Sequence, residues 1–278
     1  MIKKIDTHLH GKYSSDSVID YRKLCQKAIE RNYQAIAFTE HYDLIDTELI
    51  EYGLLPIKRY VSELAEIKKE FIELEIITGI ELGEPHIVKE RAERLLRDTD
   101  IEYIVGSLHV TRSGNNVSLR LEEPLSDKDI LEYYEENLEM VKIGGFDTLG
   151  HLGIYKRGLP ALPAYSAHST SFMGGDILPD ESCAFPIIDE IFRVMIKNNI
   201  CLEVNISGFK ARIHNHIPEP DILQRYKKLG GNFLTICSDS HALEHFDRFY
   251  EKTLDNLRQL GFLELHWKKR SGWQSIKI

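Results

Sequence analysis

The sequence predicts an α/β barrel, in which parallel strands alternate with helices around a single core. Short β-branched runs recur along the chain between longer amphipathic stretches, which indicates parallel strands joined by right-handed helical crossovers. The chain has 278 residues, of which 42% are hydrophobic and 28% are charged. This composition suits a soluble globular domain with a large core. We therefore expect one domain that spans residues 1–278.

The β-branched runs and the turn residues that flank them define the predicted strands. Amphipathic periodicity defines the helices, the first of which has a plausible N-cap at Asp20. The predicted strands cover residues 2–5, 35–38, 76–80, 101–105, 146–149, 200–204 and 233–236. The predicted helices cover residues 21–31, 57–71, 127–142, 185–198, 221–229 and about 245–260.

One segment interrupts this alternation. Residues 155–181 contain three glycines and three prolines without a helical or strand periodicity. A stretch of this composition predicts a long loop within the domain, and loops of this length commonly carry function.

Charge and cysteine usage exclude several classes of protein. Lysine and arginine number 35 against 44 acidic residues, so the net charge of −9 argues against a nucleic-acid partner. The four cysteines lie far apart without a CxxC pair, which disfavours a disulfide framework and a zinc knuckle. No apolar run approaches the roughly 18 residues of a membrane span. We expect a cytoplasmic protein that binds a small molecule and neither nucleic acid nor a membrane.

A pair of histidines follows the first predicted strand. His8 and His10 are separated by one residue, and alternate residues of an extended chain project to the same side. The pair is a weak signal alone, because His214 and His216 repeat the pattern elsewhere.

Polar side chains follow every predicted strand at its carboxyl end. In an α/β barrel these ends meet at one rim, so residues far apart in the sequence converge there. Capping roles would explain individual residues but not the whole set. The residues concerned are His8, His10, Glu40, His41, Glu81, His109, His151, Glu203, Asn205, Asp239 and His241.

These residues, with Asp16, provide candidate metal ligands. Imidazole and carboxylate donors without thiolate suit zinc, manganese or iron. Nine candidates are too many for one ion and indicate two or three, with Glu81 bridging a pair. The ions would outweigh the carboxylates, so the rim should attract an anion such as a phosphate ester. The candidates are His8, His10, Asp16, His41, Glu81, His109, His151, Asp239 and His241.

The arrangement resembles the PHP (polymerase and histidinol phosphatase) superfamily, and in particular its monofunctional histidinol-phosphate phosphatases. Six motifs run along the chain in the order of the family, and the stretches 149–157 and 203–208 resemble the histidinol-phosphatase branch. The motifs begin at Asp6-Thr7-His8-Leu9-His10 and continue through Thr39-Glu40-His41, Gly79-Ile80-Glu81, Ser107-Leu108-His109, Gly150-His151 and Ser238-Asp239-Ser240-His241.

The resemblance implies a distorted (βα)7 TIM-like barrel with a trinuclear metal centre. Matching the motifs assigns His8, His10, Glu81 and Asp239 to one ion, and Glu81, His109 and His151 to its neighbour. The third ion would take Asp16, His41 and His241, although some relatives carry histidine where this chain has Asp16. We expect Asp6 to orient a ligand imidazole.

The implied activity is hydrolysis of L-histidinol phosphate to L-histidinol and phosphate in histidine biosynthesis. A hydroxide that bridges two ions at Glu81 would attack phosphorus. Arg157 is the predicted phosphate fork, because a guanidinium binds phosphate oxygens bidentately. Asp239 or His241 could supply the proton for the leaving alkoxide.

Two sets of alternatives stay open. The ammonium and imidazole groups of the substrate need acceptors, for which Glu84, Asp43 and Asn205 are candidates. The substrate could instead be another small phosphate ester, such as phosphotyrosine or a nucleotide. A non-catalytic metal-binding module is a further alternative, but such a module is expected to have lost ligands, and all nine positions carry ligand-capable side chains.

Overall fold

The computed structural model describes residues 3–45, 55–121, 123–159, 180–210 and 213–278. In this part of the chain, seven parallel strands form one sheet whose spatial order is the chain order. The predicted α/β architecture is thereby confirmed. The strands are β1 (Lys4–Leu9), β2 (Tyr33–Tyr42), β3 (Glu75–Gly83), β4 (Tyr103–Ser107), β5 (Thr148–Leu149), β6 (Cys201–Asn205) and β7 (Leu234–Cys237).

The sheet curls until its first and last strands meet. Just beyond the regular strands, the backbone N–H of His10 donates to the carbonyl of Ser240 over 3.2 Å. The N–H of Asp239 donates to the carbonyl of His8 over 3.0 Å. These hydrogen bonds join β1 to the end of β7 and produce a nearly closed barrel. Closure brings the carboxyl ends of all seven strands to one rim.

Helices alternate with the strands, as expected. Among the described residues they are α1 (Tyr21–Glu30), α2 (Ile57–Glu70), α3 (Pro85–Leu96), α4 (Asp127–Ile143), α5 (Phe185–Asn198), α6 (Pro220–Lys228) and α7 (Tyr250–Gln259). The predicted N-cap of α1 is present, because the carboxylate of Asp20 accepts a hydrogen bond from the N–H of Lys23. Within the described ranges no helix is long and apolar enough to cross a lipid bilayer.

Two helices differ from the sequence prediction, and β1, β2 and β3 extend beyond their predicted carboxyl ends. The prediction lacks α3, which buries only Pro85, Val88 and Ala92. The last helix begins at Tyr250, five residues after the predicted start. In both cases the apolar stripe is short, so periodicity alone located the element poorly.

A C-terminal hairpin is a further element that the sequence analysis missed. Its strands are β8 (Glu264–Lys269) and β9 (Gly272–Lys277). The ammonium groups of Lys268 and Lys269 lie 2.5 Å from Asp147 and 3.2 Å from Glu75. Because these acids lie where β5 and β3 begin, the hairpin packs at the amino end of the barrel, opposite the rim.

The predicted loop at 155–181 lies mainly outside the described residues, which omit 160–179. Its two ends are described. A 3₁₀ turn, Ile154–Gly158, leads into the segment, and a second one, Ser182–Ala184, follows it.

The Asp20 cap provides a test of the fold. Replacing Asp20 by Ala should lower the free energy of unfolding by about 1 kcal/mol, because the N–H of Lys23 loses its acceptor. Urea denaturation measures this difference. Asp20→Asn keeps an accepting oxygen and is the matched control. Equal stability of the Ala variant and the wild type would contradict the capping role.

Candidate metal centre

Glu81, near the end of β3, lies at the centre of the rim. Its carboxylate is 1% exposed and contacts imidazoles from four other strand ends. Two nitrogens lie near Oε1: Nε2 of His151 at 2.7 Å and Nε2 of His109 at 3.1 Å. Three lie near Oε2: Nδ1 of His41 at 2.9 Å, Nε2 of His8 at 3.4 Å and Nε2 of His10 at 3.5 Å.

Asp239 and Asp16 extend the cluster on the side of β7. One oxygen of Asp239 lies 3.4 Å from Nε2 of His10 and 3.5 Å from Nδ1 of His241. The carboxylate of Asp16 lies 3.2 Å from Nε2 of His241 and 3.5 Å from Nε2 of His41. The structure thus brings all nine predicted ligands together.

The backbone of Asp239 is strained. Its φ of +47° is in the left-handed region, which costs a non-glycine residue free energy and concentrates at functional sites. This conformation turns the side chain at the end of β7 toward His10 and Arg157.

The electrostatics of the cluster follow from opposed effects. Burial alone would raise the pKa of the Glu81 carboxyl, but the surrounding imidazoles, chiefly His8 and His109, hold that pKa well below its usual range. Burial would conversely lower the pKa of His8, but Glu203 and Glu81 raise it well above its ordinary value. The carboxylates and imidazoles therefore stabilise one another's charges.

Polar groups behind the cluster orient its imidazoles. Nδ1 of His8 lies 2.8 Å from the carboxylate of Glu203, which is fully buried in the middle of β6. The hydroxyl of Ser14 lies 3.1 Å from Nδ1 of His10 and donates to Glu40 over 2.6 Å. Because the Ser14 proton goes to Glu40, His10 must donate from Nδ1.

The arrangement of the donors fits a cation. Nε2 of His8 and Nε2 of His10 lie 3.0 Å apart and both face the carboxylate of Glu81. The Oε2 atom of Glu81 is buried and makes no hydrogen bond among the described residues. A buried carboxylate oxygen that makes no hydrogen bond and is surrounded by imidazole nitrogens fits a divalent transition-metal ion. Among the described residues, four overlapping groups of ligand atoms lie close enough to hold an ion: His10, His41 and His241; His8, His10 and Asp239; His41, Glu81 and His109; His8, Glu203 and Cys237.

A cleft of about 420 Å³ opens over the cluster. Arg157 forms part of its wall, and the guanidinium donates to the second oxygen of Asp239 over 2.7 Å and to Ser207 over 3.2 Å. The side chain of Arg157 is 28% exposed. A cation at the wall of a small cleft with a metal-binding floor can hold an anionic group.

The predicted acceptors for the substrate occupy other positions. Glu84 is fully buried and its Oε1 accepts hydrogen bonds from the backbone N–H groups of His109 and Val110. The side chain of Asn205 is also buried and donates to Glu203 over 2.9 Å. Neither side chain lines the cleft, although Asn205 also donates to the carboxylate of Asp239, which does, over 3.4 Å. A sequence motif does not show which side chains bind buried backbone groups after the barrel has formed.

Two further candidates also have structural partners. Asp43, the third candidate acceptor, is buried with its Oδ1 3.4 Å from Nδ1 of His109. Asp6, expected to orient an imidazole, accepts hydrogen bonds from the backbone N–H groups of Ser238 and His8 instead. It fastens β1 to β7.

Sequence reasoning missed the imidazole-orienting residues. Glu203 was noted only as a polar strand end, and Ser14 not at all. The available signal was the alternation along β6, which directs Glu203 and Asn205 to the same side of the strand.

The fold and the site are those of a barrel enzyme. Its rim is lined with histidines and carboxylates that could hold metal ions. The sequence profile of the PHP domain family matches residues 6–207, and the chain belongs to this family.

Named relatives extend over nearly the whole chain. The histidinol-phosphatase of Lactococcus lactis subsp. lactis (strain IL1403) is 26% identical over 271 residues, which are 95% of this chain and 94% of that protein. The probable histidinol-phosphatase of Clostridium acetobutylicum is 23% identical over 269 residues, 95% of this chain and 97% of the relative.

A solved structure has the same fold. The crystal structure of the Lactococcus lactis histidinol phosphate phosphatase, complexed with zinc, L-histidinol and phosphate, superimposes with a TM-score of 0.79 at 24% identity. The match covers 99% of this chain and 100% of the other. The predicted family and barrel are thereby confirmed.

Glu203 provides a test of the metal centre. Glu203→Gln keeps the shape of the side chain but removes the charge that strengthens the hydrogen bond to His8, so we expect zinc affinity to fall about tenfold. Competition with a chelating dye measures the affinity, and wild-type protein should load two to three ions per chain.

Glu136→Gln is the matched control for this measurement. Glu136 is equally buried, but it lies on α4 and pairs with His86 and the backbone of Arg112. Unchanged zinc affinity in Glu203→Gln, or an equal loss in both variants, would contradict the orienting role.

Proposed function

We propose that the protein is a metal-dependent phosphomonoesterase that hydrolyses L-histidinol phosphate to L-histidinol and phosphate. The observation that carries the proposal is the buried Glu81, which is surrounded by imidazoles beneath a small cleft with Arg157 in its wall. The relatives named histidinol-phosphatase, which match nearly the whole chain, support this choice of substrate.

The contacts support an assignment of ligands to three ions. His8, His10, Glu81 and Asp239 would hold one ion, and Glu81 with His109 and His151 its neighbour. Asp16, His41 and His241 would hold a third, since Asp16 lies within 3.5 Å of both imidazoles. The donor set suits zinc, manganese or iron, and zinc is present in the Lactococcus structure.

The residues of the chain and the bound ions would have different roles in the reaction. Bound divalent ions supply water with a lowered pKa and neutralise charge on the phosphate. Arg157 binds a phosphate oxygen, since its guanidinium faces the cleft and already pairs with the carboxylate of Asp239. Its planar donors fit the tetrahedral anion.

Asp239 and His241 are the proposed route for the proton of the leaving alkoxide. The imidazole of His241 is 23% exposed, whereas Asp239 is 4% exposed and is paired with Arg157 and His10. His241 is therefore the better placed of the two, and it can exchange a proton with water in the cleft when the third ion, to which it is also assigned, is absent.

Glu81→Gln tests the role of the central carboxylate. The amide keeps the volume but loses the charge that several imidazoles share, so we expect kcat to fall at least a hundredfold with the fold intact. Phosphate release measures activity, and circular dichroism measures folding. Activity close to that of the wild type would refute the bridging assignment.

The substrate is tested by a phosphate-release screen over phosphomonoesters with added zinc or manganese. We expect kcat/KM for L-histidinol phosphate to exceed that for phosphotyrosine and nucleotides, because relatives that match nearly the whole chain bear this name. A preference for phosphotyrosine or a nucleotide would replace the proposed substrate. Absence of turnover with every ester, in protein that holds metal, would favour a metal-binding module.

A further inference from the structure

The turn that carries Arg157 is held from behind by a buried polar cluster. Lys156 precedes Arg157 in the 3₁₀ turn and its side chain points away from the cleft, where it is only 3% exposed. Its Nζ lies 2.5 Å from Oε2 of Glu181 and 2.8 Å from Oε2 of Glu219. We call Lys156, Glu181 and Glu219 the anchor cluster.

The anchor cluster fastens the turn to two helices. Oε1 of Glu181 accepts hydrogen bonds from the hydroxyl of Tyr134, on α4, over 2.5 Å and from the hydroxyl of Tyr155. Glu219 is the N-cap residue of α6. Tyr155 and Lys156 are consecutive residues of the turn, and both bind Glu181. The backbone that precedes Arg157 is therefore fixed at two successive positions.

Stability does not account for this arrangement. Buried ion pairs are commonly no more stabilising than apolar side chains of similar volume, because desolvation opposes the attraction. Burial raises the pKa of Glu219 to about 7, and its Oε1 atom makes no hydrogen bond among the described residues. Charge-assisted hydrogen bonds, however, impose one geometry, which apolar contacts do not.

Arg157 needs such a geometry. Its guanidinium is held on the cleft side by Asp239, Ser207 and the carbonyl of Ser118. A guanidinium that binds phosphate must meet the phosphate oxygens at fixed angles. A small rotation of the turn would misplace the N–H donors of Arg157. Arg157 is therefore contacted on the cleft side of the turn, and the residues before it are held on the opposite side.

We propose that Lys156, Glu181 and Glu219 are positioning residues that orient Arg157 for phosphate. The inference rests on the proposed function, which assigns Arg157 to that group. It extends the site to side chains that touch neither the metal ligands nor the cleft. Replacing any of them should weaken phosphate binding, and the whole effect should come from the altered position of Arg157.

A double-mutant cycle tests this coupling. Inorganic phosphate is titrated calorimetrically into the metal-loaded protein. We expect Lys156→Met and Arg157→Ala each to raise the Kd about 10- to 100-fold, the effect of losing a charge-assisted hydrogen bond. The double variant should bind no more weakly than Arg157→Ala alone, because Lys156 acts through Arg157.

Glu136→Gln, a buried carboxylate outside the anchor cluster, is the control and should bind phosphate like the wild type. Wild-type affinity in Lys156→Met, or losses that multiply in the double variant, would overturn the proposal. If Lys156→Met fails to fold, Glu219→Gln takes its place in the cycle, because it removes one charge and leaves Lys156 paired with Glu181.

The titration separates this inference from the proposed substrate. A wild type that binds phosphate without hydrolysing L-histidinol phosphate would refute the substrate, and the cycle would still decide the role of the anchor cluster. A wild type that fails to bind phosphate would overturn the assignment of Arg157 and the anchor cluster together.

Discussion

The contact of one buried carboxylate with imidazoles from several strands is the interaction on which the site depends. Glu81 lies within 3.5 Å of His8, His10, His41 and two further histidines. All of these residues are buried, so water does not screen their charges. A cluster of this kind is costly to bury unless opposite charges are close. The nearly closed barrel provides that proximity, because closure between β1 and β7 brings both ends of the sheet to the same rim.

Polar groups behind the rim orient the imidazoles of the cluster. Glu203 and the Ser14–Glu40 pair set which nitrogen of His8 and of His10 faces inward. Arg157 belongs to the same network through Asp239. The chain's net charge of −9 is therefore a poor guide to its ligand, since the local arrangement of charges, not their sum, determines what the cleft attracts.

The sequence predicted elements and ligands better than supporting contacts. Helix α5 begins and ends where periodicity placed it, because its apolar stripe is strong and Asn199 ends it in a left-handed conformation. Helix α3 and the C-terminal hairpin were missed, since the helix buries few side chains and the hairpin buries only Leu265 and Trp267 fully. So few buried positions leave little periodicity in the sequence.

By itself, the sequence determined the alternation of strands and helices and the polar residues at every strand end, because periodicity and motif order are local properties. It also identified the nine candidate ligands and the family. Only the tertiary structure decided that Glu84 binds the backbone of His109 and Val110, that Glu203 orients His8, and that Lys156 is buried behind Arg157. Those roles depend on which buried donor meets which acceptor, and that pairing exists only after the barrel has closed.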